Sequence, residues 1–106
     1  MSGAAFLSER IAGAPISWGV CEVPGWGPML EPEVVFADMA GLGLRATEVG
    51  PVGYLPADPG DLADRLARHG LRPIAAFVPV VFDPGLDAGA RERTLRAAAA
   101  LAAARG

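Results

Sequence analysis

The sequence predicts an α/β protein built from parallel (β/α) units, with about three strands and three helices. Two observations carry that prediction. A strand–loop–helix order recurs three times along the 106 residues, and such alternation favours a parallel sheet with right-handed crossovers. The same punctuation, Gly-Leu-Arg, stands between helix and strand at Gly43-Leu44-Arg45 and at Gly70-Leu71-Arg72. A glycine there suits the left-handed residue that closes a helix, and the leucine supplies the apolar contact such a cap favours.

Residues 1–9 read as a loose leader, with Glu9-Arg10 interrupting any apolar run and no basic start of the kind a secretory signal has. Ile11–Trp18 is the first strand expected. Its small residues suit a crowded interior, and Pro15 fits only at a bulge or beside an unpaired neighbour. Gly19–Leu30, rich in Gly, Pro and Trp, is longer than a plain connector, and loops of that kind carry function. The first helix is predicted from about Glu31, with Pro32 where a missing N–H costs nothing. Val35, Met39 and Leu42 share its apolar face.

The second strand is Arg45–Val49, ended by Gly50-Pro51, and Gly50–Pro59 forms the next loop. Asp61 is the expected N-cap of a helix Leu62–His69, with Leu62 and Leu66 on one face. Pro73–Val78 reads as a strand covered on both faces, since nearly every residue is apolar. After the loop Pro79–Gly85, a helix starts at Asp87 or Gly89 and runs to Arg105, carrying Leu95, Ala98, Ala99 and Ala102. Gly106 stands where Gly43 and Gly70 stand, so a fourth strand is expected to follow it.

Composition narrows the function. Nine basic against twelve acidic residues give a net charge of −3, and the arginines are scattered, which disfavours a nucleic-acid partner. The apolar runs Pro73–Phe82 and Ala97–Ala104 fall short of the ~18–20 residues of a membrane span. A single cysteine, Cys21, rules out an internal disulfide and suits a reducing compartment. A soluble, cytoplasmic protein is the expectation.

Ala-Pro-Ile-Ser-Trp-Gly at 14–19, Thr-Glu-Val-Gly-Pro at 47–51 and the repeated Gly-Leu-Arg together resemble the sugar phosphate isomerase/epimerase superfamily, the xylose-isomerase-like TIM barrels. With the Pro-Gly-Trp loop that follows, the first motif is most similar to inosose dehydratases. The resemblance covers roughly residues 11–82. It implies that residues 1–106 are the amino-terminal segment of a single (β/α) barrel domain, an incomplete TIM barrel of the larger fold. It implies a sugar or cyclitol substrate, and isomerase, epimerase or dehydratase (lyase) chemistry. It also implies a divalent metal (manganese, magnesium or cobalt) in the full-length enzyme, held by later strands, with no cofactor site in this segment. Residue by residue it carries over Trp18 at the first strand's end, Glu48 at the second's and Phe77 on the third as substrate-binding positions. No catalytic residue is assigned.

Each of these positions has a plainer reading. Glu48 either accepts hydrogen bonds from a polyol or pairs with Arg45. Trp18 either stacks on a sugar ring or fills the core. His69 is expected to close a helix, where the dipole favours a partly charged imidazole. Asp58, Asp61 and Asp64 read as a loop residue, an N-cap and a solvated helix face rather than metal ligands. Gly41, Gly43 and Ala46 fit G-x-G-x-x-A, but they lie at a helix end leading into a strand, the reverse of what a dinucleotide site needs. Gly25-Trp26-Gly27-Pro28 lacks the helix start and Lys-Ser/Thr of a phosphate cradle. The competing function is a non-catalytic small α/β domain that self-associates or binds a polyol weakly. Self-association through open sheet edges is expected for the segment in either case.

Overall fold

The computed structural model describes residues 9–21, 23–83, 85 and 87–105. Most of the expected leader, residues 1–8, and the cap at Gly106 lie outside the described residues. The chain is α/β. In order it forms a 3₁₀ turn at Pro15–Trp18, helix α1 (Pro32–Gly41), strand β1 (Ala46–Glu48), helix α2 (Pro59–Ala67), strand β2 (Arg72–Ala75) and helix α3 (Ala90–Ala104).

The parallel sheet expected from the alternation is present: β1 pairs with β2 in parallel, with Ala46 opposite Arg72, Thr47 opposite Pro73 and Glu48 opposite Ala75. The register slips between Thr47 and Glu48, beside a proline that has no N–H to give the ladder. The expected first strand, Ile11–Trp18, is reduced to one parallel bridge between Gly13 and Thr47. Gly13 donates to Ala46 O and accepts from Glu48 N–H, both at 2.9 Å. Pro15 then ends the extended run and opens the 3₁₀ turn, because its ring fixes φ and removes a donor. The third strand is also shorter than expected, stopping at Ala75 rather than Val78.

The helix caps explain the Gly-Leu-Arg repeat. Gly43 (φ 86°) donates to Ala40 O at 3.0 Å while Leu44 N–H reaches back to Met39 O at 3.1 Å. Gly70 (φ 69°) and Leu71 repeat the pair onto Ala67 O and Leu66 O, at 3.0 Å each. Both are the two-bond left-handed closure that satisfies the last carbonyls of a helix. At the other end of α2 the expected cap is displaced: Asp58, not Asp61, is the N-cap, and its Oδ2 accepts from Asp61 N–H at 3.0 Å. Pro59 occupies the first helical position, so the helix begins three residues before Leu62.

Val35, Phe36 and Met39 of α1, Leu62 and Leu66 of α2, and Val20, Leu55 and Leu71 form one buried apolar cluster. Leu42, placed on the apolar face by spacing, is instead 71% exposed, since it lies at the helix end where the chain turns away. The cluster covers one face of the sheet. A side chain at Gly13 would meet Met39 and Leu44, and Val49 packs against the cluster. Alternation along a strand therefore puts Gly13, Thr47 and Val49 toward the helices, and Ala46 and Glu48 toward the opposite face.

Candidate functional site

The topology brings the three sequence-derived positions to one end of the sheet. Glu48 closes β1, Trp18 closes the turn after the Gly13 bridge, and Phe77 lies two residues beyond β2. These are the carboxyl ends of parallel strands, where α/β proteins gather their variable loops and ligands.

Their side chains differ in setting. Glu48 is half-buried and belongs to the sheet face away from α1 and α2. The expected alternative partner is otherwise engaged: Arg45 faces Glu9 at 3.9 Å. Thr47 beneath it is fully buried, its hydroxyl donating toward Gly13 O at 3.2 Å and Glu48 O at 2.7 Å. That hydroxyl ties the Gly13 strand to the peptide of Glu48 and fixes the backbone that carries the carboxylate. Trp18 packs against the apolar cluster and donates from Nε1 to Asp38 Oδ2 of α1 at 3.2 Å. Its indole is thus turned toward the helix layer, on the other side of the sheet from Glu48. Phe77 is 50% exposed on irregular backbone past the strand's end.

The long loop after Trp18 is pinned at both ends. Val20 is buried, and Tyr54 donates its hydroxyl hydrogen bond to Leu30 O at 2.6 Å. Burial and the nearby Glu31 carboxylate push the Tyr54 phenol up to about 12, so it stays a donor at neutral pH. Cys21 in that loop is half-buried, and its sulfur accepts from Val23 N–H at 3.4 Å. His69 does more than close α2. Its Nε2 lies 2.7 Å from Glu33 Oε2, and Arg65 Nε donates to Glu33 Oε1 at 2.9 Å. The His69 hydrogen bond, followed by the charge of Arg65, holds the Glu33 carboxyl below its ordinary value despite an opposing desolvation. Asp38, Glu33 and Tyr54 were invisible as partners in the sequence, since each acts across twenty residues or more, where no fixed spacing points to a partner.

Two concavities lie away from Glu48. One, about 480 Å³, runs between Val80–Phe82 and α3 and is mostly apolar. The other, about 530 Å³, is lined by Glu9, Arg45, Gly70, Leu71 and Arg72 at the amino ends of the strands. Ligand chemistry of (β/α) units belongs at the carboxyl ends of the strands, so the second does not compete with the Glu48 end. The first follows β2 at that same end but is not lined by Glu48. Among the described residues no three His, Cys, Asp or Glu side chains converge as a metal site. None of the described helices is long and apolar enough to cross a membrane.

Comparison with known proteins agrees with the motifs. The chain is similar to inosose dehydratase from Geobacillus kaustophilus (strain HTA426), 37% identical over 73 residues. The match takes in 69% of this chain but 23% of that protein. The chain therefore spans about a quarter of the curated relative's length. No family model matches the sequence, and no solved structure matches it.

Proposed function

We propose that the chain is the amino-terminal part of a sugar- or cyclitol-converting enzyme, an isomerase, epimerase or dehydratase of the xylose-isomerase-like barrels, nearest in kind to an inosose dehydratase. The observation that carries the proposal is the 37% identity to such a dehydratase, joined to a carboxylate, Glu48, at a strand's carboxyl end. In this reading Glu48 orients the substrate by accepting hydrogen bonds from polyol hydroxyls, as an ionised carboxylate does. Phe77 supplies apolar wall, and Trp18, anchored to α1 by Asp38, braces the strand end from the helix side. The segment contributes one side of a cytoplasmic enzyme's pocket. A divalent metal would polarise the substrate carbonyl in the whole enzyme. The described residues offer it no ligand set.

Reading the coding sequence past codon 106 tests the proposal first. Further (β/α) units with Glu, Asp and His at strand ends support it; a stop codon transfers the weight to the non-catalytic domain. In the longer protein, Glu48→Gln keeps shape and removes charge. Turnover of inosose should fall about ten-fold or more, because charge-assisted hydrogen bonds are worth ~1.5–3 kcal/mol. Unchanged kcat and KM would remove Glu48 from the pocket. For the segment alone we propose self-association through the uncovered edge of the sheet. Sedimentation at low micromolar concentration should show species larger than one chain, and a compact monomer that melts cooperatively would refute it.

A further inference from the structure

Among the described residues the loop leaving β2 shows few backbone hydrogen bonds of its own, yet Pro79 and Val81 are tied to the start of α3 by one pair of side chains. Arg93, in the first turn of α3, donates from Nη1 to Asp87 Oδ1 at 3.0 Å and from Nη2 to Asp87 Oδ2 at 2.8 Å. The same Nη2 donates to Pro79 O at 3.0 Å. Asp87 Oδ2 also accepts from Val81 N–H at 3.1 Å. One guanidinium and one carboxylate thus hold two backbone points of the chain just past β2 against the start of α3. The fork matches both carboxylate oxygens, a geometry that a lysine cannot reproduce. The Asp87 side chain is only 12% exposed, against 40% for Arg93, so water competes weakly for its oxygens. At and just beyond the tied points, Val80, Val81 and Phe82 form a crest beside Ala90, Thr94 and Leu95. Phe82 at its top is 97% exposed.

We infer that Asp87 and Arg93 form a strap that fixes the loop after β2 in its present shape, independently of the packing that holds the rest of the chain. Both are positioning residues. The strap sets where the crest stands at the carboxyl end of the sheet, and calling that end a pocket wall rests on the proposed function. The strap itself does not, and its test needs no activity.

Amide hydrogen exchange on the 106-residue chain reads it directly. In Asp87→Ala the Val81 amide loses its acceptor, and local opening should speed its exchange by about ten-fold or more. The amides of Glu48 and Val49, bonded to Gly13 O and Ala75 O, should keep their rates. Arg93→Lys preserves charge but not the fork, and should give an intermediate acceleration at Val81. An unchanged Val81 rate in Asp87→Ala overturns the inference. So does equal acceleration at Val81, Glu48 and Val49, which would make the pair a general stability element. A strap that fails this test leaves the Glu48 assay untouched, and an inactive Glu48 assay leaves the exchange result untouched.

Discussion

The two halves of the chain hold their helices by different means. α1 and α2 bury Val35, Phe36, Met39, Leu62 and Leu66 in one cluster with Val20, Leu55 and Leu71. Of α3, only Ala90 is buried and Leu95 is 56% exposed. The first half is fixed by apolar burial, worth ~1.5–3 kcal/mol for each large side chain. The second half is fixed by Asp87 and Arg93, by the edge of α2 and β2, and by helix propensity in an alanine-rich run, alanine being the best helix former. A helix with that composition can stand without a deep contact, yet it gains little from the one it has.

The largest break in this comparison comes from truncating the cluster. Phe36 is fully buried and meets Tyr54 edge-on at 6.3 Å between ring centroids. Phe36→Ala should cost ~3–5 kcal/mol, from lost transfer energy and the cavity left behind. Leu95→Ala, the same kind of change on α3, should stay within ~0.5 kcal/mol. Urea midpoints of the two variants check the contrast directly. Similar costs would show that α3 is packed as firmly as α1.

A smaller effect separates the caps from the core. Gly43 and Gly70 both stand at positive φ, with open space where a Cβ would go. Gly43→Ala and Gly70→Ala should therefore each cost ~1–2 kcal/mol from backbone strain alone, without a clash. Similar losses at the two positions, measured by thermal unfolding, would confirm that the Gly-Leu-Arg repeat is one structural device used twice. A neutral substitution at either would remove that equivalence.

The repeat was legible in the sequence because a cap is a local event: the glycine, its φ and its two bonds lie within six residues. The helix start at Pro32 is local in the same sense, whereas the start at Pro59 was missed, because Asp58 rather than Asp61 took the cap and Pro59 fits the next position. Strand lengths were not legible. Apolar content at Ile11–Trp18 and Pro73–Val78 promised longer strands than form, since pairing depends on partners elsewhere in the chain. Gly13 finds one partner before Pro15 turns the chain, and β2 ends with its ladder to β1. Strand ends were legible, and they put the positions of Glu48, Trp18 and Phe77 at one end of the sheet. The direction of Trp18 toward Asp38 and the Asp87–Arg93 strap depend on contacts across loops, for which no spacing rule exists.

The smallest expected effect lies at the seam between α1 and α2. Glu33 bridges His69 and Arg65, yet its side chain is 50% exposed, so solvent screens both pairs. Exposed pairs of this kind are worth ~0.2–1 kcal/mol, and the Glu33 share belongs in that range. Its sign follows from the lowered carboxyl, caused first by the His69 hydrogen bond. A carboxyl more acidic in the folded chain than its ordinary 4.5 stabilises the fold above that pH. The contribution is lost as pH falls through the folded value, because the unfolded chain then takes up the proton more readily. Stability should therefore drop on acidification below pH 4.5, and Glu33→Gln should flatten that drop while changing the neutral-pH midpoint only slightly. Unfolding free energies of the two proteins between pH 3 and 7, compared as a difference, isolate the effect. A difference that stays constant across that window would mean the seam is held by Phe36 beside the His69 ring, 6.3 Å between centroids, and not by the carboxylate.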